Sequence, residues 1–299
     1  MDPILETLYD KNGLVQFLQS RGLRMSRALG QNFLIKRPLM RSLLNEAEFP
    51  REGAIIEIGP GVGHLTWMLI ERGLRVLAVE KDRTFAAILE ELSPIHPGQL
   101  TIRQEDALET DFAALAKESG ARWAIGNLPY NVAVPILFRL AYCPFRFESV
   151  NVMLQKEVGE RILAEPGTKR YGRLSIVLNY LYRIHKIRTI AGPSFFPPPK
   201  VESVFVQMKP KEDADLELAQ FYLERIVKIG FLHRRKKLRK QLQGAIIERR
   251  IISDDFLDHA PSAFDFEKRA EEWPVETWVQ FARSIRETKP ERENDAIIP

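Results

Sequence analysis

A short stretch, Gly126–Tyr130, combines an amide, a rigid proline and an aromatic ring. It follows the apolar run Trp123–Ile125, which predicts a buried strand, so these groups stand at a strand end, where open α/β sheets bind ligands. The amide of Asn127 can hydrogen-bond the exocyclic amine of a base, and the ring of Tyr130 can stack on its face. These residue types predict a site that holds an adenine while its amine is methylated.

The predicted chemistry depends on the lone pair of the adenine amine, which is delocalised into the ring and is therefore a poor nucleophile. The side-chain oxygen of Asn127 and a backbone carbonyl near Leu128 could accept both amine hydrogens and favour a pyramidal nitrogen. No strong base is needed before attack, because the proton becomes acidic once the nitrogen carries the methyl group. Asn127 and Tyr130 are thus predicted to act through orientation and electrostatics.

A glycine-rich loop, Gly59–Gly63, follows the β-rich run Ala54–Ile58 and precedes a helical stretch. Glycines let the backbone approach a ligand closely, and a helix N-terminus favours negative charge, so Gly59 and Gly61 are predicted to bind a cofactor. The spacing G-x-G-x-G differs from the dinucleotide fingerprint and argues against the competing class, a hydride-transfer enzyme. A tight turn without a ligand is the alternative.

Two acids follow the next two predicted strands. Glu80 stands 21 positions after Gly59, where an acid holds the ribose hydroxyls of a nucleotide. Asp106 lies at the end of the next strand and can accept a hydrogen bond from an adenine amine. Together with the glycine loop they predict a pocket for a cofactor that contains adenosine. A strand-capping glutamate and a solvated loop acid are the alternatives.

Strands and helical patterns alternate through the first two-thirds of the chain. Strands are predicted at 54–58, 75–79, 100–103, 121–125, 149–154, 186–191 and 203–208. This alternation predicts an α/β fold with a doubly wound, Rossmann-like sheet. The polar stretch Pro210–Asp215 predicts a boundary between this domain, residues 1–209, and a small C-terminal all-helical domain, residues 210–299. In that domain helices are predicted at 218–229, 234–242 and 273–286.

The connection before the last predicted strand, Phe195–Val201, contains three prolines. Prolines stiffen a loop and prevent ladder pairing, so this loop could present Phe195 as a clamp on a base. Phe195 is therefore a further candidate catalytic residue. A buried hydrophobic plug is the alternative.

The composition limits the class of protein. Of the 299 residues, 45% are hydrophobic and 28% charged, as in soluble globular proteins. No apolar run approaches the ~20 residues of a membrane span, and a signal-peptide core and an Arg-rich transit peptide are not evident. We therefore expect a cytoplasmic protein without membrane contact. The single cysteine, Cys143, excludes an internal disulfide and gives no metal cluster, so we expect no metal.

Charge is unevenly distributed along the chain. Residues 225–250 carry ten Lys/Arg against one acid, whereas residues 251–299 carry six against twelve. The basic block predicts a helix that contacts a polyanion. Its candidate RNA-binding residues are Arg234, Arg235, Lys236, Lys237, Arg239 and Lys240. A solvated helix face is the alternative.

Several segments together resemble the rRNA adenine N6-dimethyltransferase family. They are Gly30–Leu34, Glu57–Thr66, Glu80–Asp82, Glu105–Ala107, Gly126–Tyr130, Leu154–Val158, Tyr171–Ser175 and Phe195–Ser203. These segments occur in the family's order between residues 27 and 208, which makes the resemblance far more specific than any single motif. The chain departs from the family's usual Arg-Arg-Lys-Thr-Leu-Arg-Asn pattern at Lys237 and Lys240, and both changes add a cation.

The resemblance implies a cofactor, a substrate and site residues. The cofactor is S-adenosylmethionine, contacted by Asn32, Leu34, Gly59, Glu80, Asp106 and Asn127. The target adenine lies against Asn127 and Tyr130, with Phe195 on its other face. The family transfers two methyl groups to each of two adjacent adenosines near the 3′ end of small-subunit rRNA. The implied partner is this rRNA within the immature small ribosomal subunit, with a role in ribosome biogenesis, and the protein is expected to be a monomer.

Other functions remain compatible with the same motifs. The closest is the same chemistry on large-subunit rRNA, although those enzymes typically carry isoleucine where Leu128 stands. Relatives of the mitochondrial transcription factors are a third possibility, weakened by the absence of a transit peptide. A ribosome-assembly factor that acts mainly by binding is a different class, and it can coexist with methylation.

Overall fold

The computed structural model describes residues 2–23, 32–249 and 256–288 of the chain. Within these residues, no helix is long and apolar enough to cross a membrane.

A sheet of seven strands forms the centre of the fold, with the order β4-β3-β2-β5-β6-β9-β7. The strands are β2 (Ala54–Ile58), β3 (Arg75–Val79), β4 (Leu100–Arg103), β5 (Ala121–Asn127), β6 (Ser149–Gln155), β7 (Tyr182–Ile190) and β9 (Ser203–Pro210). The first five are parallel to their neighbours, and β9 is antiparallel to β6. A separate two-stranded sheet pairs β1 (Phe33–Leu34) with β8 (Phe195–Phe196). The predicted doubly wound α/β fold is confirmed.

The order of the parallel strands reverses at β2. From β2 the chain moves outward to β3 and β4, then returns to place β5 on the other side of β2. In sheets of this kind ligands bind at such a switch point, outside the carboxyl ends of the strands. The glycine loop follows β2, and Asn127 is the last residue of β5. Topology therefore brings the two predicted motifs together.

Helices connect the strands along the chain. In chain order they are α1 (Pro3–Thr7), α2 (Lys11–Ser20), α3 (Arg37–Glu46), α4 (His64–Glu71), α5 (Arg83–Leu92), α6 (Phe112–Ser119), α7 (Ala133–Ala141), α8 (Lys156–Ile162) and α9 (Arg173–Leu181). Four of them begin at an aspartate, Asp2, Asp10, Asp82 or Asp111, whose carboxylate accepts backbone N–H groups of the first turn. Such caps satisfy donors that the helix leaves unpaired.

The described residues form two compact units. One contains Met1–Gly159 with Ile184–Pro210, and the other contains Glu160–Arg183 with Lys211–Pro299. The predicted domain boundary at 209/210 differs from this division over residues 160–183. In the second unit this segment is held by hydrogen bonds to distant residues, for example from the Tyr171 hydroxyl to the Trp273 carbonyl at 2.9 Å. Such long-range partners leave no local signal in the sequence.

The second unit is helical. It contains a π-helix (Leu218–Leu223), α10 (Glu224–Gly230), α11 (Leu238–Arg249), α12 (Phe256–His259) and α13 (Val275–Thr288). Its core is aromatic, with the rings of Trp273 and Phe281 5.5 Å apart and the side chain of Trp278 fully buried.

The predicted helix at 234–242 is wrong in its first turn, because α11 begins only at Leu238. The N–H groups of Leu238 and Arg239 donate to the carbonyls of Lys268 and Phe266 at 2.9 and 3.0 Å. Since these donors are used outside the helix, residues 234–237 form turns and an isolated bridge instead.

Candidate active site

The glycine loop between β2 and α4 adopts a backbone that side chains disfavour. Gly59 and Gly61 have φ angles of 67° and 60°. A Cβ on Gly61 would lie 2.4 Å from the ring of Phe33, so this position also has no space for a side chain. A Cβ on Gly59 would meet nothing closer than Pro129 at 3.8 Å. Gly61 is thus required for packing, while Gly59 leaves open space in front of the strand end.

Glu80 lies just after β3 and is 7% exposed. One carboxylate oxygen accepts the N–H of Gly61 at 2.9 Å, and the other accepts the N–H of Asp82 at 2.8 Å. Burial raises the pKa of Glu80, and these N–H groups act against that rise because they favour the charged form. A carboxylate can accept about four hydrogen bonds, so each oxygen keeps a lone pair for a ligand hydroxyl.

Asp106 lies beyond β4, at the next strand end. Its Oδ2 pairs with the Lys81 ammonium at 2.6 Å, and its Oδ1 accepts the N–H of Leu108 at 2.9 Å. The hydrogen bond from Lys81 is the main cause that lowers the pKa of Asp106, so this side chain is an anion at neutral pH. It can accept a hydrogen bond from an adenine amine with its remaining lone pairs.

Asn127 ends β5 beside the glycine loop. Its Nδ2 donates to the backbone carbonyl of Asn32 at 2.7 Å. This bond fixes the orientation of the amide, and its Oδ1 has no partner among the described residues. Asn127 therefore presents an acceptor of the kind that an amine target needs, and Asn32 is placed directly against it.

Tyr130 lies just beyond the end of β5 and is held by a residue of β9. Its hydroxyl and the hydroxyl of Ser203, at the start of β9, lie 2.7 Å apart. Burial raises the pKa of Tyr130, so the phenol stays neutral. The side chain is half-buried, and the hydrogen bond restricts its motion. This geometry suits a ring that stacks on a base.

Phe195 was predicted to clamp a base, but the structure buries its ring. It lies in β8, pairs with Leu34 of β1, and is only 2% exposed within the core. The ring is therefore buried, as in the plug interpretation, and cannot contact a base without leaving the core. The neighbouring Phe196 is half-buried, with the Lys11 ammonium 5.7 Å from its ring centre.

A cavity of about 50 Å³ lies between the glycine loop, β1 and the end of β5. Leu34, Gly59 and Asn127, three of the predicted cofactor contacts, line it together. The structure thus brings most predicted cofactor residues to the carboxyl edge of the sheet, where the carboxylates of Glu80 and Asp106 fit a cofactor with a ribose and an adenine. Within the described ranges, no group of three or more His, Cys, Asp or Glu is placed to hold a metal ion.

Sequence reasoning assigned no role to three polar residues at this site. Glu57 and His64 line the same cavity, and Lys81 pairs with Asp106. A usable signal existed for Glu57, since an acid inside an apolar strand run is unusual unless it has a partner. The placement of His64 and Lys81 depends on three-dimensional contacts and had no such signal.

The basic residues of the second unit have different environments. Arg234 pairs with Glu271 at 2.8 Å and donates to the carbonyl of Lys169, while Lys237 pairs with Glu267 at 2.8 Å. Arg239 lies 3.7 Å from the same Glu267. Of the six predicted RNA-binding cations, the exposed ones without an ion pair among the described residues are Arg235, Lys236 and Lys240. These are the strongest candidates for contact with a polyanion.

Comparison with known proteins identifies the family. Residues 22–284 match the sequence profile described as "Ribosomal RNA adenine dimethylase". The chain is 37% identical over 273 residues to a "Ribosomal RNA small subunit methyltransferase A" of Chelativorans sp. (strain BNC1), covering 90% of this chain and 96% of that protein. A protein of the same name from Leptothrix cholodnii is 38% identical over 264 residues, covering 88% and 92%.

Solved structures support the fold. A dimethyladenosine transferase from Plasmodium falciparum superposes with a TM-score of 0.70 at 24% identity, covering 85% of this chain and 98% of that one. The 23S rRNA methyltransferase ErmE gives a TM-score of 0.58 at 22% identity, with coverage of 85% and 99%. With a profile matching most of the chain, and relatives above 30% identity covered almost entirely, the protein is a member of the ribosomal RNA adenine dimethylase family, with S-adenosylmethionine as its methyl donor.

Proposed function

We propose that this protein dimethylates the N6 amines of two adjacent adenosines near the 3′ end of small-subunit rRNA. The choice of subunit is supported by the relatives, which are named small subunit methyltransferases and match along nearly their whole length. The observation that carries the chemistry is the fixed amide of Asn127, whose Nδ2 is bound to the carbonyl of Asn32.

S-adenosylmethionine supplies an electrophilic methyl group when it is bound. Asn127 Oδ1 accepts a hydrogen of the target amine and directs the nitrogen lone pair away from the ring plane. Because Nδ2 is already bound, the amide cannot rotate to present a donor, which would repel the amine. The preorganised acceptor therefore lowers the barrier without a general base. Tyr130 stacks on the base, and contacts of this kind contribute about 1–3 kcal/mol.

The second methyl transfer places a different demand on the same residues. A monomethylated amine has one hydrogen left, so Asn127 or a neighbouring backbone carbonyl loses its partner. Stacking on Tyr130 then becomes a larger share of the binding energy. We include Phe195 as a second stacking ring that reaches the base only when its ring leaves the core.

The RNA partner is the small-subunit rRNA within the immature ribosomal subunit, with a role in ribosome biogenesis. The protein would act as a monomer in the cytoplasm, where its substrate is assembled. The exposed cations Arg235, Lys236 and Lys240 would contact phosphates and make the affinity depend on salt. Arg234 and Lys237 contribute less directly because carboxylates already neutralise them.

The test is methyl transfer from labelled cofactor to immature small subunits, followed by mapping of the modified bases. Asn127→Ala should reduce transfer by about 100-fold or more, by analogy with the loss of one preorganised hydrogen bond. RNA affinity should change little. The matched control is Asn12→Ala, an exposed asparagine on α2. Modification of the large subunit instead would contradict the proposed substrate, and loss of RNA binding in Asn127→Ala would make Asn127 a structural residue.

A further inference from the structure

The ring of Tyr130 is held by one hydroxyl, which comes from another part of the chain. The phenol oxygen of Tyr130 and Oγ of Ser203 lie 2.7 Å apart, although the two residues are 73 positions apart in the sequence. Within the described part of the chain, Ser203 supplies the only hydrogen bond of the Tyr130 hydroxyl. The orientation of this half-buried ring therefore depends on Ser203.

The direction of β9 explains why Ser203 reaches the site. β9 runs antiparallel to β6, and its first residue, Ser203, lies opposite Gln155, the last residue of β6. The start of β9 is thus at the same edge of the sheet as the carboxyl ends of the parallel strands, where Asn127 ends β5. Open α/β sheets bind their ligands at this edge. A hydroxyl at the start of β9 can therefore contact a ring that follows β5.

Ser203 is itself held firmly. It is 0% exposed, and the preceding residue, Glu202, is bound to Lys156, the first residue of α8. The Lys156 N–H donates to the Glu202 carbonyl at 2.9 Å, and the ammonium pairs with the Glu202 carboxylate at 2.6 Å. α8 also packs closely on β9, since a Cβ on Gly159 would lie 2.3 Å from the side chain of Val204. The Ser203 hydroxyl is therefore a rigid anchor for the ring.

The two methyl transfers depend on this anchor to different degrees. In the first transfer the target amine has two hydrogens, which Asn127 and a neighbouring backbone carbonyl can accept. In the second transfer one hydrogen is left, so the base loses one of the two contacts that fix its position. Stacking on Tyr130 then supplies a larger share of the binding energy, and a base that is not aligned reacts more slowly.

We propose that Ser203 is the positioning residue of Tyr130 and that it sets the ratio of dimethylated to monomethylated adenosine in the product. The inference rests on the proposed function, because it takes the adenine of the small-subunit rRNA as the base that stacks on Tyr130. Ser203 acts through the ring and touches neither the base nor the cofactor.

Single-turnover methylation of immature small subunits measures the two transfers separately. Wild type and Ser203→Ala are mixed with saturating S-adenosylmethionine, and mono- and dimethylated adenosines from the rRNA are quantified over time by mass spectrometry. Ser203→Ala should slow the second transfer about 3- to 10-fold, as expected for one lost hydrogen bond, and the first less than about twofold. Affinity for S-adenosylhomocysteine should stay within about twofold of the wild type, because Ser203 does not line the cavity beside Gly59 and Asn127.

Tyr130→Phe removes the same hydrogen bond from its other end and keeps the ring. It should give the same product ratio as Ser203→Ala, and the double variant should be no slower than either single variant, because both groups act through one contact. The matched control is Ser149→Ala, a buried serine at the opposite end of β6 whose Oγ accepts from Asn151 at 2.7 Å. This control should keep the product ratio of the wild type.

The product ratio distinguishes positioning of the ring from support of the strand. Accumulation of monomethylated adenosine in both single variants, and not in the control, would support the proposal. Equal slowing of both transfers, or additive losses in the double variant, would make Ser203 a structural residue and overturn it. An unchanged product ratio in Ser203→Ala would also overturn it, while dimethylation by the wild type would leave the proposed function intact. Failure of the wild type to methylate the small subunit would overturn the proposed function and this inference with it.

Discussion

Replacing Glu80 by glutamine tests whether a buried carboxylate serves both the glycine loop and the cofactor. Both oxygens of Glu80 accept backbone N–H groups, those of Gly61 and Asp82, at 2.9 and 2.8 Å. Glutamine keeps one oxygen and replaces the other by an NH₂ group, which is itself a donor. One of the two backbone N–H groups therefore faces another donor inside a site that is 7% exposed.

The expected magnitudes follow from these contacts. Leaving a buried donor unsatisfied costs about 1–3 kcal/mol, so the free energy of unfolding should fall by that amount. The loss of a charged acceptor for the ribose hydroxyls should weaken S-adenosylhomocysteine about 10- to 100-fold. The Gly61 loop also loses its anchor, which adds to the loss of affinity.

The assays are chemical denaturation and titration calorimetry, with Glu90→Gln, an exposed glutamate on α5, as the matched control. An analogue of S-adenosylhomocysteine without the 2′-hydroxyl separates the two effects in a double-substitution cycle. If Glu80 binds the ribose, the penalty of Glu80→Gln should be smaller for this analogue. Equal penalties for both ligands would refute direct binding and leave Glu80 as a support for the loop.

Three further predictions concern the loop, the buried acid and the basic surface. Gly61→Ala should lower the free energy of unfolding by about 2–5 kcal/mol in chemical denaturation, because alanine disfavours a φ of 60° and its Cβ would clash with Phe33. Adding Phe33→Leu to this variant should restore part of the lost stability. Because burial raises the pKa of Glu57 to about 8, its folded-state pKa lies above the unfolded value. The protonated Glu57 carboxyl therefore stabilises the fold below about pH 4, and this stabilisation is lost as pH rises to about 8. Over that range the free energy of unfolding of the ligand-free wild type should fall relative to that of Glu57→Gln. Parallel curves of unfolding free energy against pH for the two proteins would contradict this. Finally, neutralising Arg235 and Lys236 together should reduce the slope of log affinity against log salt by about 2 for rRNA, and an unchanged slope would place the RNA elsewhere.

The sheet and the glycine loop could be predicted because their causes are local. The strand β2 is an uninterrupted buried run, and the acid that follows β3 stands at a fixed distance from the first glycine. The meeting of Gly59 with Asn127 follows from the strand order, in which β5 lies beside β2 at the switch point of the doubly wound sheet. Aspartate caps such as Asp82 mark helix starts by the same local logic.

Other features depend on partners far away in the sequence. The turn around Arg234 exists because Glu271, 37 positions later, pairs with its guanidinium. Phe195 is buried because β8 pairs with β1, more than 150 positions earlier. A periodic pattern of cations or a proline-rich loop cannot reveal either partner, so the sequence suggested a continuous helix and an open aromatic clamp.

Some of the candidate site residues are held by hydrogen bonds within the protein, whereas others have a buried polar atom without a partner. Asn127 is bound to Asn32, Tyr130 to Ser203, and Glu80 to Gly61, so each keeps one face free at a defined orientation. Groups held in this way need no reorganisation when charge develops beside them during methyl transfer. This preorganisation lowers the barrier of the reaction.

Glu57 and His64 behave in the opposite way, because each has an atom that lacks a partner in a buried position. A buried atom without a partner makes the ligand-free protein less stable, and a bound ligand that satisfies it recovers that free energy as affinity. Because Glu57, His64 and Asn127 line the same cavity, binding energy gained at the first two can then hold a ligand against the fixed acceptor of Asn127. If a bound ligand satisfies Glu57 and His64, the two groups of residues have complementary tasks: one set binds the ligand by removing a cost, and the other orients the target without incurring one.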